Sequence, residues 1–384
     1  MWRHLASNAL SFFFVLLLVV AGAVAWGARM YSEPGPLEAG ICLRVESGTN
    51  FRAVSRNLEA QGAVASGAIL RIGADYSQRA GLLKAGSYLV PERASMEEIV
   101  EIVTRGGQST CGTEVVYRIG VNKTVVQVRE LDPATSRYVD VAEYDPVTDE
   151  TPSEYTKVAG EADTRFRVAM AEGTTSWQVV TALNGISTLV GPVLEVPAEG
   201  MLAPDSYEFR PGATVASILA RMEASQEKIL AEAWVERAAD LPVSTPQEAL
   251  VLASIIEKET GVAEERGLVA GVFVNRLNRG IRLQTDPTVI YGITGGEGVL
   301  GRGLRQSELQ RETPYNTYLI DGLPPTPIAN PGRASIEAAL NPADTPFIFF
   351  VADGTGGHAF ADNLADHNKN VAAWRAIEDQ QTGN

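Results

Sequence analysis

The segment "ASIIEKET", Ala253 to Thr260, sets two carboxylates two residues apart at the end of an apolar run. A glutamate at the end of a buried helix loses water, which raises its pKa and favours the protonated form a general acid needs near neutral pH. At about 100° per residue, Glu257 and Glu259 project to nearly opposite sides of such a helix, so only one readily faces a given cleft. Leu250, Ala253 and Ser254 share a face with Glu257, and Leu252, Ile255 and Ile256 share one with Glu259, so periodicity leaves the choice open. A solvated helix-end charge is the plainer reading of either. Downstream, Gln284, Thr285 and Asp286 gather three polar side chains ahead of Pro287. They arrive together as a polar cluster, or as mere turn chemistry, with Asp286 able to cap the turn. The Pro- and Gly-rich "YNTYLIDGLPPTPIANPG" carries Tyr315, Asn316 and Tyr318, suited to lining a sugar groove by stacking and amide hydrogen bonds, or simply to packing a loop. His358 and His367 lie nine residues apart without a metal-ligand spacing. His358 reads as a hydrogen-bonding residue at a cleft edge or as a structural one.

The elements that must position these groups carry their own signals. Thr245 as N-cap, Pro246 at N1, Glu248 at N3 and Gly261 as a left-handed C-cap delimit a helix over 246–260. Its middle is apolar nearly all round, which places it inside a domain. "EERGLVAGVFVNRLNRG" reads as an amphipathic helix ending at Gly280, and "IRLQTDPTVIYGI" as a short strand followed by a capped turn, which would bring Gln284 to Asp286 to a strand end.

The chain has 384 residues, 45% hydrophobic and 21% charged, which suits a folded protein of two or three domains. Its formal net charge of −15 argues against a nucleic-acid partner, since phosphate binding needs a basic surface. From Leu10 to Trp26 no charged residue occurs, a length near the lower limit for crossing a bilayer. Arg3 and His4 before it place the N-terminus in the cytoplasm and the rest of the chain outside. A cleaved signal peptide, with "AVA" at Ala23 to Ala25 as the processing site, is the competing reading. Cys42 and Cys111 are the two cysteines, and in an exported compartment they form a disulfide or remain two buried thiols. Nothing in the sequence calls for a cofactor or a metal.

Beyond a linker at Tyr31 to Gly40, a strand, two helices and a strand, followed by the capped helix "SMEEIVEIVTRGG", suggest a small binding module, or a spacer off the membrane. Residues 108–166 are β-rich, and helices return after Ala171.

Taken in order, "EGTTSWQVV", "EGMLAPDSYEF", "ASIIEKET", "FVNRL", "RLQTDPTVIYG", "YNTY", "GLPPTPIANPG" and "FFVADGTGGHAFADNLADHNKNV" resemble the YceG-like family of endolytic murein transglycosylases. The resemblance implies an α+β chain: a cytoplasmic tail (1–8), a single transmembrane helix (9–27), a LysM-like module of ββαα type (40–107), and a mainly helical catalytic domain with short strands (167–380). The β-rich insertion (108–166) is longer than the family's plain connection. It further implies a lyase that cleaves the MurNAc–GlcNAc bond within nascent peptidoglycan strands, leaving 1,6-anhydro-MurNAc ends. Glu257, at the first Glu of the EKE motif, would serve as acid then base, with Glu259 in support. Gln284, Thr285, Asp286, Tyr315, Asn316, Tyr318 and His358 would bind substrate. The implied location is the inner membrane with the catalytic domain on the periplasmic side, and the implied partners are glycan strands and penicillin-binding proteins. A water-using muramidase and a non-catalytic peptidoglycan-binding scaffold are the competing readings.

Overall fold

The computed structural model describes residues 2–46, 48–105, 110–161 and 163–382. The boundary expected between 107 and 108 lies outside them, as do Met1 and the side chains of Arg3 and His4. The apolar N-terminal helix α1 (Trp2–Ser32) is longer at both ends than the sequence suggests, and its Phe12–Ser32 stretch is long and apolar enough to cross a membrane.

Packing divides the chain into two units. Met1–Val115, Gln127–Tyr144 and Glu150–Arg165 form one; Val116–Val126, Asp145–Asp149 and Phe166–Asn384 form the other. In the first, β1 (Ile41–Val45), α2 (Phe51–Ala60), α3 (Gly67–Tyr76), β2 (Gly86–Val90) and α4 (Met96–Thr104) follow in order. Side chains of Asn50, Ser66 and Ser95 cap the three helices, and Ser95 with Glu98 completes the expected capping box. β1 and β2 pair antiparallel, Leu43 opposite Tyr88. Leu43, Leu58, Leu70, Val90 and Ile99 fill the core beneath them. Cys42 and Cys111 are joined as a disulfide, their Cα atoms 5.7 Å apart.

The β-rich stretch holds β3 (Thr113–Ile119), β4 (Thr124–Asp132) and β5 (Arg137–Tyr144), then the short α5 (Ser153–Val158) and β6 (Arg165–Met170). After α6 (Ser176–Asn184), β7 (Ser206–Phe209) pairs antiparallel with β6, Phe166 opposite Phe209.

Phe166–Asn384 is mainly helical: α7 (Val215–Val235), α8 (Pro246–Glu259), α9 (Arg266–Asn278), α10 (Asp286–Thr294), α11 (Gln306–Leu309), α12 (Arg333–Leu340), the hairpin β8 (Phe349–Ala352) and β9 (His358–Ala361), and α13 (Leu364–Thr382). α8 runs through its core, packed by α7, α9, α10 and α12. All eight residues from Ala249 to Ile256 are buried, each large one contributing roughly 1.5–3 kcal/mol of hydrophobic stabilisation. The same burial fixes where the helix delivers its last turn.

Two local expectations are corrected. Gly261 is not a left-handed C-cap, because Thr260 already leaves the helix in an extended conformation (φ −140°, ψ 131°) and its hydroxyl accepts from the Val262 amide. Ile281 to Thr285 forms no strand. Its carbonyls are engaged by the Arg276 side chain rather than by a neighbouring strand, and Gln284 turns to φ +53°.

Candidate active site

Thr245 and Glu248 form the reciprocal capping box expected of them, with Pro246 at the start. The helix they fix ends at Glu257, Lys258 and Glu259, and its two carboxylates enter different surroundings.

Glu259 faces a pocket of about 630 Å³, whose polar lining includes Arg276, Gln284, Thr285, Asp286 and Tyr318. The residue keeps some solvent contact through the pocket, but protein encloses its carboxyl group, and this desolvation pushes its pKa up. A hydrogen bond from the Thr285 hydroxyl opposes the shift, the Asp286 charge adds to it, and His358 opposes it. The carboxyl group is therefore biased toward holding its proton and is held in orientation by Thr285.

The loop that supplies Thr285 is stapled from below. Arg276, buried on α9, donates to the carbonyls of Ile348 (2.7 Å), Arg282 (3.0 Å) and Leu283 (2.8 Å) and lies over the Phe349 ring. Burial lowers its pKa, yet a guanidinium stays charged across the physiological range. Gln284 occupies the left-handed region at φ +53°, which is strained for a residue with a Cβ and persists only where neighbours impose it. Here its amide donates to Thr317 O, the Thr285 amide donates to Thr317 Oγ1, and Thr288 Oγ1 donates to Thr285 O. Beside Thr285, Asp286 accepts from the Tyr318 hydroxyl at 2.7 Å. Burial raises the Tyr318 pKa, so it stays a phenol and a donor.

Glu257, on the other side of α8, accepts from the Gly332 amide at 3.0 Å. The Glu172 carboxylate packs against Gly332, and a Cβ there would collide with it. Burial, then the Glu257 charge, raise the pKa of Glu172. Lys258 donates to Gly173 O at 3.2 Å, and burial lowers its pKa against the pull of Glu257 and Glu199. Glu199 accepts from Ser176 N, Asn330 Nδ2 and the Tyr291 hydroxyl, with its pKa also raised by burial. This side is a hub of short internal contacts joining "EGTTS", "EGML" and "ANPG".

The structure thus gathers Gln284, Thr285, Asp286 and Tyr318 at Glu259. His358 stands close enough to act on the Glu259 charge, and its Nδ1 pairs with Glu265 at 2.8 Å. Tyr315 is elsewhere, its ring 5.1 Å from Tyr291 and its hydroxyl on Thr326. Asn316, expected to line the groove, has its side chain engaged within the protein. It is fully buried, its amide donates to the carbonyls of Glu308, Leu309 and Arg311, and its Oδ1 accepts from the Tyr318 amide, so nothing is left for a ligand. Sequence reasoning assigned no role to Arg276, Glu172, Glu199, Lys258 or Asn330. Their signal was membership of quoted motifs, without a pattern saying what each touches. His367 also lines the pocket, stacked 4.8 Å from Phe349, and burial lowers its pKa. Among the described residues no cluster of three His, Cys, Asp or Glu could hold a metal ion.

The α+β scaffold thus encloses one carboxyl group, Glu259, whose pKa is pushed up, beside Asp286 and the Tyr318 phenol, and a carboxyl group in such a setting can give and take a proton near neutral pH. The chain belongs to the YceG-like family, whose sequence model matches residues 43–373. It is 28% identical to an endolytic murein transglycosylase of Streptococcus pneumoniae over 96% of its own length, and spans 65% of that relative. It is 27% identical to an endolytic murein transglycosylase of Bacillus subtilis, covering 92% of this chain and 90% of the relative. A solved YceG-like protein of Listeria monocytogenes aligns over 86% of this chain and 99% of its own at 22% identity, with a TM-score of 0.46.

Proposed function

We propose that this protein is a membrane-anchored endolytic lytic transglycosylase that cleaves the MurNAc–GlcNAc bond within peptidoglycan strands, and that Glu259 is its acid and base. Family membership and the activity for which its relatives are named support the reaction class. The observation that carries the residue assignment is the enclosed Glu259 carboxyl group in a pocket lined by Gln284, Thr285, Asp286 and Tyr318. Glu257 lacks that setting, and its bond to the Gly332 amide makes it a positioning residue for the "ANPG" loop.

In the proposed reaction, protonated Glu259 gives its proton to the glycosidic oxygen as the C1–O bond breaks. Positive charge develops at C1 and the ring oxygen, and Asp286, oriented by Tyr318, stabilises it. The Glu259 carboxylate then takes the proton of the muramyl 6-hydroxyl while O6 bonds to C1. A 1,6-anhydro end and a free GlcNAc hydroxyl result, and Glu259 is protonated again. No water is consumed, and because O6 itself closes on C1 no second carboxylate is needed as nucleophile or base, unlike in the two-carboxylate hydrolases.

On this reading residues 9–27 belong to the anchor, 40–107 form a LysM-like module that engages glycan, 108–166 are an insertion and 167–380 the catalytic domain. The last three lie on the periplasmic side of the inner membrane, within reach of penicillin-binding proteins that supply nascent strands. The test is to digest peptidoglycan with the full chain in heavy-oxygen water and read the muropeptides by mass spectrometry. Products lighter by one water and free of label at C1 are expected; labelled reducing ends would replace the transglycosylase by a muramidase, and intact glycan would replace it by a binding scaffold.

A further inference from the structure

We propose that the exposed face of α3 rests on the surface of the bilayer that α1 enters, so that the first unit is held against lipid as well as tethered to it. The proposal rests on the reading of α1 as a membrane anchor. Phe12–Ser32 is a 21-residue apolar stretch, about 31 Å long as a helix and so matched to the roughly 30 Å hydrocarbon layer. Its last turn, with Tyr31, then lies at the headgroup level.

Tyr31 fixes α3 at that level. Its ring covers Gly73, where a Cβ would collide with it, Ser77 stands beside its hydroxyl, and α1 packs along both α3 and α4. Beside Gly73 and beyond it, α3 and the turn after it leave large apolar side chains in the open: Ile72 is 64% exposed, Tyr76 91% and Leu82 52%. Ile72 and Tyr76 are four residues apart and share a helix face. Arg71, Arg79 and Lys84 lie along the same stretch of chain, with Asp75 the one acid among them. Aliphatic and aromatic groups at headgroup depth, edged by long cations whose stems can lie along apolar surface, are the composition of a membrane interface. Continuity with the membrane-entering helix selects lipid as the occupant.

The measurement uses the full chain in phosphatidylcholine/phosphatidylglycerol bilayers. The two native cysteines are paired, so a single introduced cysteine can carry a nitroxide label. Leu18→Cys reports on the anchor, Tyr76→Cys on the α3 face, and Arg56→Cys, exposed on α2, gives the water-side reference. The ratio of collisions with oxygen to collisions with a water-soluble nickel chelate should be several-fold higher at Tyr76→Cys than at Arg56→Cys, approaching Leu18→Cys. Equal ratios at Tyr76→Cys and Arg56→Cys, with Leu18→Cys still in lipid, would overturn the proposal and leave the anchor standing. A water-like ratio at Leu18→Cys would remove the anchor and the proposal together.

Discussion

Glu259 occupies a site where its charged form is disfavoured, and this has consequences for both stability and rate. Its pKa is raised by burial, so between the ordinary glutamate value and the raised one the folded state binds more protons than the unfolded state. Stability therefore falls as pH rises through that window. Glu259→Gln keeps the acceptor for Thr285 and has no charge to bury. Its melting temperature should exceed that of the wild type above the window, with the difference shrinking as pH falls toward the ordinary carboxylate range; thermal melts across pH test this, and a constant difference would remove burial of charge as the cause. Activity should fall over the same rise in pH, because the acid loses its proton. Asn316 makes the opposite case, a polar side chain used wholly for structure. Asn316→Ala removes the Asn316 partner of the Leu309 and Arg311 carbonyls and of the Tyr318 amide and should cost about 2–3 kcal/mol in denaturant unfolding, whereas a residue that only lined a groove would leave stability unchanged.

Among the elements, α8 was legible from its sequence because its start is specified locally: a capping box and a proline act within one turn. What its last turn does was not legible. A helix apolar on all sides has no face that its own pattern marks as inward, so only the neighbours α9, α10 and the loop between them sort Glu257 from Glu259. Gln284 was equally hidden. A left-handed glutamine has no sequence signature, and its conformation is imposed by Thr317 and Arg276 from outside the segment. The resemblance assigns the acid to Glu257, the carboxylate that accepts from the Gly332 amide, whereas the proposal assigns it to the enclosed Glu259. Arg276 is the element-scale test. Arg276→Lys keeps a cation but cannot reach the carbonyls of Ile348, Arg282 and Leu283 in one fork. Turnover should drop by at least about tenfold, equivalent to roughly 1.4 kcal/mol of transition-state positioning, with a smaller change in the melting temperature; unchanged turnover would detach the loop from catalysis.

For the whole molecule, the Cys42–Cys111 disulfide closes a loop with a sequence separation of 69. Both residues lie in the first unit, and the candidate site lies in the second. Replacing both with serine should lower stability by about 2–4 kcal/mol and leave glycan cleavage per folded molecule unchanged; a fall in turnover beyond the unfolded fraction would tie the disulfide to catalysis. The two cysteines are plain in the sequence, but whether their sulfurs meet depends on the pairing of β1 with β2 and on the chain that follows α4. The most direct test of the whole account is a comparison of Glu259→Gln with Glu257→Gln on intact peptidoglycan, with anhydro-muropeptides counted by mass spectrometry. Loss of an acid/base should cost Glu259→Gln about 10²–10⁴-fold in rate while Glu257→Gln stays within about tenfold of the wild type, as expected when a hydrogen-bond acceptor is preserved. The reverse order, with Glu257→Gln inactive and Glu259→Gln still cutting, would contradict the assignment and return the chemistry to the other face of α8.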